Sequence, residues 1–464
     1  MTLVLGIPAT VLNLIQAGVL ERAFHDGLFP ELKFRAEAMM EEWPEHAGNE
    51  MYMSRPGLIP VNTTPLQPGV DPTPQVVAWE QWKAELARWG NSIDTHAPTS
   101  ATASANLFLR NIHQLGLNAG QTLNRLPRNT LFQAYLSGHT VLIDAALAAD
   151  TQIHVAALNG FTDVILLGTN VRPEPVSITR ALPITITTAG GPAANTVIGA
   201  IPDNAADPKG PGILLLGAAV GGGGAAARAP VVSSQAPRII RAGGGLSVDA
   251  LGAADSFVMQ HAIVAANMLR NANVPTHEDG FYHAHIGPLT NAQAFSDTPF
   301  QRLFTSLPNS DEIRMGVLGV IGNVKFIINS EIPQLNNTGA RVTTGTNAQY
   351  ATDIGAEIVN DTGIEVGRTI VTGKGTIYEK WLNEDAYVTE AGVTGKIGEF
   401  DIVNNGMSIP VERVKLIMRA PVNRMQDMVA CSWSCSTSFP VPSDITGPSG
   451  PERYKRAIVI EHAL

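Results

Sequence analysis

Between Thr102 and Ala149 the chain carries its longest run of helical periodicity, with Leu107, Ile112, Leu115, Leu123, Leu126, Leu131, Leu136, Val141, Leu142 and Leu147 on one apolar stripe. Apolar residues that recur every three to four positions predict an amphipathic helix. Ser104 is a suitable N-cap. Pro127 is expected to kink or split the helix, because its ring removes a backbone donor and crowds the preceding turn. No other stretch of the 464 residues is a helix candidate of this length. A bundle buries each helix against partners of similar length, so one long helix argues against a bundle. Strands must complete the core, and the expected fold class is α+β.

The strand signals lie mostly downstream. Over 150–246, short β-like runs alternate with Gly, Pro and Ala turns: Asp163–Leu167, Val176–Ile178, Ile184–Thr188, Thr196–Ile201, Ile213–Leu216, Pro230–Ser233 and Arg238–Ile240. This pattern predicts a small β-rich insertion. Its glycine runs, Gly221–Gly224 and Gly243–Gly245, fit no phosphate-binding signature and read as loops. A second helix is expected from Asp249 or Ala253 through Leu269. Then Asp279-Gly280 turns the chain into a β-like run, Phe281 to Ile286, which Gly287-Pro288 stops. A polar, helix-compatible segment at 291–307 leads to Gly316, Gly319 and Gly322, and then to a strand from Lys325 to Ile328. Glycines at that spacing predict close backbone approach or bulges. Further strands are expected at Ile364–Val366, Thr369–Val371, Thr376–Ile377, Tyr387–Val388, Val414–Met418, Met428–Ser434 and Ala457–Glu461.

Upstream, Val11 to Ala23 forms one helical face, and Glu31 to Trp43 reads as a second short helix stopped by Pro44. Met51 to Ile59 suits a strand at the start of a proline-rich stretch. Trp79, Trp82, Leu86 and Trp89 recur at helical spacing, yet Trp82, Ala84 and Leu86 also alternate, so helix and strand both fit, with helix favoured.

Charged residues make up 16% of the chain, and hydrophobic residues 44%. The charged share is low against about 25% in an average soluble protein. It suits a protein that buries much surface against copies of itself, and equally a large loop-rich enzyme. The net charge of −10 speaks against a chain whose task is gripping nucleic acid. Cys431 and Cys435 cannot by themselves complete a four-ligand zinc site. On a strand they share a face about 13 Å apart, beyond the ~7 Å that a disulfide spans; they read as two small buried residues in a reducing compartment. No apolar run reaches membrane-helix length, and no basic residue precedes the apolar residues 3–20. A soluble protein made in the cytoplasm is expected.

The order Val274-Pro275, Asp279-Gly280-Phe281-Tyr282, Ile286, Pro288, Gly316, Gly319, Gly322 and Ile332-Pro333 resembles the A-domain core of tailed-phage major capsid proteins with the Hong Kong 97 fold, in the branch typified by phage N-four. The resemblance covers about three quarters of the chain and weakens over 170–245 and 336–406. It implies an N-terminal arm (1–47), an extended two-stranded E-loop (48–103), a spine helix with the P domain (104–170), a β-rich insertion (171–246), an A domain (247–406, loop-rich near 336–406) and a carboxyl-terminal return through the P and A domains (407–464). Under it, 79–89 is strand, and Trp79, Trp82 and Trp89 are exposed anchors between subunits, a role tryptophan often takes. The implied function is a coat protein that self-assembles, through hexamers and pentamers, into an icosahedral shell around double-stranded DNA. Its implied partners are copies of itself, a portal, scaffold or decoration proteins, and DNA held without sequence-specific binding. No membrane, no cofactor and no catalysis are implied, and the expected location is the virion, after assembly in the host cytoplasm. Two other readings stand beside it. One is an encapsulin-like compartment shell. The other is a metal-dependent enzyme using His283 and His285, since H-x-H on a strand puts both rings on one face near Asp279.

Overall fold

The computed structural model describes residues 19–28, 33–44, 47–56, 79–96, 107–165, 170–297, 319–335, 364–382, 406–411, 414–419, 427–443 and 456–464, with a few single positions between them. The chain divides into two units. One comprises Met1–Met51, Lys83–Arg128 and Ile377–Pro440; the other comprises Tyr52–Trp82, Asn129–Thr376 and Val441–Leu464.

The first unit is built on strand Met428–Ser438. Strand Ala87–His96 pairs antiparallel along it from Met428↔His96 to Thr437↔Ala87. On its other neighbours the order runs Met39–Glu42, Tyr378–Trp381, Met428–Ser438, Val414–Arg419, Gly406–Val411. Alternation in the sequence turns Val429, Cys431, Trp433 and Cys435 to one face, where all four are buried. That face meets helix α1 (Val19–Leu28) and the first turns of helix α2 (Leu107–Tyr135) through Phe24, Leu28, Ile112, Leu115 and Leu123. Trp433 donates its indole N–H to Asn118 Oδ1 at 3.1 Å, so the buried ring leaves no polar atom stranded. Both cysteines are free, and burial pushes the Cys431 thiol up to about 12, with Asp94 adding to the shift.

The helix expected from Glu31 to Trp43 is not formed. Residues Arg35–Glu37 make one 3-10 turn, and Met39–Glu42 is a strand parallel to Tyr378–Trp381. Pairing with a distant strand overrides local propensity here. A bidentate ion pair holds the turn: Arg35 Nε and Nη2 lie 2.9 and 2.7 Å from the carboxylate of Glu379, with both side chains buried.

Helix α2 passes through Pro127 without ending, and stops at Tyr135 rather than Ala149. Gly138 takes a left-handed conformation (φ 72°), and the chain leaves as strand His139–Val141. Val141 and Leu142 are buried in a sheet, and Leu147 is exposed. Ser104 and Val11 lie outside the described residues.

The second unit contains a six-stranded antiparallel sheet in the order His139–Val141, Pro230–Ser233, Leu182–Thr188, Gly191–Pro202, Gly212–Leu216, Gln152–Val155. Its two end strands meet at the Leu142–Val155 bridge and at the bond from Ile143 N to His154 O, 2.9 Å. The sheet therefore closes into a small barrel, which removes exposed edges. Leu182, Ile184, Ile186, Val197, Leu214 and Val231 fill it.

A mixed sheet follows, in the order Ile239–Arg241, Ala457–Ala463, Val366–Thr372, Tyr282–Ile286, Val324–Ile328, Val320–Ile321. Gly322 and Asn323 both have positive φ (59° and 70°) and form the two-residue hairpin turn between Ile321 and its partner Val324. A Cβ at Gly322 would also lie 2.8 Å from Ile263, so the glycine serves turn and close packing together. Helix α3 (Met259–Asn271) and helix α4 (Pro288–Ser296) bury Ala262, Ala266, Leu269 and Ala294 with Tyr282, Ile286 and Ile460. Helix α3 begins later than the expected Asp249 or Ala253. Asp255 Oδ2 captures the N–H of Gly252 at 2.7 Å in a turn, and Ser256 bridges to Ala463, which keeps this segment extended. The position of helix α4 shifts the expected 291–307 segment toward Pro288; residues 298–307 lie outside the described residues, as do Gly316 and Tyr387–Val388.

Candidate functional site

The three tryptophans lie on strands, not on a helix. Strand Trp79–Glu85 turns Glu80, Trp82 and Ala84 inward, and Trp79 outward. Strand Ala87–His96 carries Trp89 opposite Cys435. Exposure separates them: Trp79 is 44% and Trp89 36% exposed, whereas Trp82 is 5% exposed. Of the three tryptophans expected to be exposed, Trp79 and Trp89 are, and Trp82 is buried. Trp82 is covered by Arg55, whose guanidinium sits 5.8 Å from the ring centroid. Arg55 in turn pairs with the buried Glu80 carboxylate at 2.8 Å. Helical spacing of the tryptophans is therefore incidental, and the Trp82–Ala84 alternation is the informative signal.

The histidines are placed by strand Tyr282–Ile286. His285 is fully buried in the mixed sheet. His283 lies at its rim, with Nε2 2.8 Å from Asp279 Oδ2. The same carboxylate oxygen accepts from Lys325 Nζ at 2.9 Å. His277 stacks on His283 with ring centroids 4.0 Å apart and an interplanar angle of 8°. Partial burial works against the charge on Asp279, but hydrogen bonds from Lys325 and His283 outweigh it and hold the carboxyl at about 2. The turn residue Asp279 thus already meets a cation, the Lys325 ammonium. His283 and His285 do not converge on a shared ligand position with it, and the metal-enzyme reading gains no support.

A third polar centre has no motif or spacing in the sequence that joins its residues. Glu461, on strand Ala457–Ala463, lies between two arginines from different strands. Arg241 Nε is 2.8 Å from Oε2, and Arg368 Nε is 3.0 Å from Oε1. All three side chains are at least nine-tenths buried. Burial alone would raise the Glu461 carboxyl; the guanidiniums of Arg241 and Arg368 override it and hold the group below the ordinary carboxylate range.

No protein-family model matches the chain, and no curated protein sequence matches it. Among solved structures, the chain is similar to the capsid of Ralstonia phage GP4, with 13% identity and a TM-score of 0.46, over 93% of this chain and 88% of that one. It is similar to the capsid structure of the cyanophage P-SCSP1u, with 12% identity and a TM-score of 0.44, over 91% and 86%. It is also similar to the capsid asymmetric unit of cyanophage Pam1, with 9% identity and a TM-score of 0.46, over 92% and 89%.

Proposed function

We propose that this chain is the major capsid protein of a tailed bacteriophage, a structural rather than catalytic protein whose copies form an icosahedral shell around double-stranded DNA. The observation that carries the reading is the order of elements. Two consecutive strands, Trp79–Glu85 and Ala87–His96, which pair with different neighbours, precede the long helix Leu107–Tyr135. The mixed sheet then joins strands Tyr282–Ile286 and Val324–Ile328 and, through Val366–Thr372, the carboxyl-terminal strand Ala457–Ala463. This order supports the succession of E-loop, spine helix, A domain and return that the resemblance to Hong Kong 97-type capsid proteins implies.

In this reading the shell holds by many weak contacts per subunit, whose linkage multiplies their effect. The exposed Trp79 and Trp89 are the contacts proposed between neighbours. Hexamers and pentamers, a portal, scaffold or decoration proteins, and packaged DNA are its partners, and assembly takes place in the host cytoplasm. Expressed protein, with a scaffold where one is needed, is expected to sediment as capsomers or megadalton particles visible by electron microscopy. A stable monomer or dimer under all such conditions defeats the reading. Trp79→Ala with Trp89→Ala is expected to lower particle yield while leaving the unfolding midpoint of the isolated chain unchanged.

A further inference from the structure

The second unit carries a half-open pocket with about 30 Å³ of room, whose wall includes His139, Ile239, Arg241, Leu246, Arg368 and Glu461. Its charges do not balance. Two guanidiniums face one carboxylate, with side-chain exposures of 7% for Arg241, 3% for Arg368 and 2% for Glu461. Among the described residues one positive charge is therefore left on side chains that are nine-tenths buried, where an uncompensated charge is costly. Arg241 directs Nη1 at the carbonyls of Gly245 and Leu246, 3.4 and 2.9 Å away, which relieves its hydrogen bonding but adds no negative charge. Among the described residues, Arg368 donates through Nε alone. Asp249, beside the wall residue Val248, is already paired with Arg228 at 2.9 Å and cannot serve. His139 adds no charge near neutral pH, because burial, and then Arg241, hold its pKa at about 4.

We propose that this pocket binds one monatomic anion of chloride size, held chiefly by the guanidinium of Arg368, with Arg241 as the second positive wall. The volume has room for about one or two water-sized particles, which suits a halide better than tetrahedral phosphate or sulfate. Leu246, next to Gly243–Gly245, belongs to the pocket wall and is itself 56% exposed, so this side of the pocket lies at the solvent. The glycine run, which matches no phosphate loop, thus frames an anion site of another kind: its carbonyls orient one arginine, and the charge that binds comes from the side chains.

The test is the chloride NMR line width of the full-length protein near neutral pH, titrated with chloride and competed with bromide or sulfate. A saturable broadening is expected, displaced by bromide and not by sulfate. Arg368→Met is expected to weaken chloride by at least about tenfold, the effect of losing one favourable charge contact. Glu461→Gln unmasks the second guanidinium and is expected to tighten chloride by about tenfold on the same scale. Where Arg368→Met does not fold, Arg368→Lys replaces it, keeping charge while losing the planar fork, and a several-fold weakening is expected. Absence of a saturable component in the unaltered protein means that water alone fills the pocket, and the proposal falls. Equal chloride affinity in the unaltered protein and Glu461→Gln also overturns it. The outcome is independent of whether the chain forms shells.

Discussion

The barrel fills its interior with Leu142, Val155, Leu182, Ile184, Val197 and Leu214, whereas the mixed sheet beside it in the chain buries Glu461, Arg368, His462 and Thr369 among its apolar residues. Topology accounts for the contrast. Barrel strand Leu182–Thr188 alternates buried and exposed positions through most of its length, so its polar residues have a wet face. Strands Val366–Thr372 and Ala457–Ala463 are buried at every position and have no such face. Most polar residues on them are matched by another, Arg368 by Glu461, Thr372 by the carbonyl of His283 and His462 by Thr290, while the Thr369 hydroxyl is buried without a partner among the described residues. Packing volume therefore governs one region, and protonation and ion pairing govern the other.

The sharpest way to break this contrast is to remove one side chain from each region. Glu461→Ala strands two buried guanidiniums and is expected to destabilise the mixed sheet by about 3–5 kcal/mol. Leu214→Ala leaves a cavity in the barrel and is expected to cost about 2–5 kcal/mol. Salt separates them more cleanly than magnitude does. The loss in Glu461→Ala is expected to shrink in chloride relative to gluconate at equal ionic strength, and the loss in Leu214→Ala to stay constant. Hydrogen exchange of amides in 457–463 and 212–216 reads the two regions separately; the same salt response in both would dissolve the distinction.

The next effect is acid sensitivity. Burial is the first cause holding His462 at about 4 against an ordinary 6.5. The unfolded chain takes up a proton near 6.5 and the folded one only near 4, so folding releases protons across that window. Stability of the mixed sheet is then expected to fall as pH drops from 6.5 towards 4. A loss on the order of 2 kcal/mol is expected at the acid end. His462→Gln should flatten part of the slope in urea unfolding, the remainder belonging to His139, which burial also holds at about 4; an unchanged slope would move the acid sensitivity away from His462.

Local patterning made the first unit and the barrel readable. Val429, Cys431, Trp433 and Cys435 alternate in sequence and share one buried face, and the expected runs Ile213–Leu216 and Pro230–Ser233 coincide with strands. The failures have physical causes. Helical spacing at Trp79, Trp82 and Trp89 competed with alternation, and pairing with distant strands decided for strand, as it did at Met39–Glu42. Leu142 and Val141 extended the helical stripe on paper, but Gly138 ended the helix before them. Glu461 lies 220 positions from Arg241 and 93 from Arg368, so no spacing rule could join them. Continuous apolar runs such as Ile458-Val459-Ile460 mark a strand buried on both faces. A charge inside such a strand is the one signal that could have pointed to Glu461.

The smallest effect has the opposite sign to that of His462, and is the finest test of the contrast. His154, on barrel strand Gln152–Val155, meets Asp144 Oδ2 at 3.0 Å and Asp203 Oδ2 at 2.7 Å. The bond that its ring donates to Asp144, then the one to Asp203, raises its pKa above the ordinary 6.5. A raised histidine contributes stability that is complete below the unfolded value and is lost as pH rises through the folded one. The pair is half in solvent, so the gain is at most about 1 kcal/mol. As pH falls from the alkaline side to about 6.5, above the window in which His462 acts, protection of amides in 152–155 should rise, and His154→Gln should abolish the rise. Protection that falls instead would place the barrel under the same protonation control as the mixed sheet, and its stability could no longer be ascribed to packing alone.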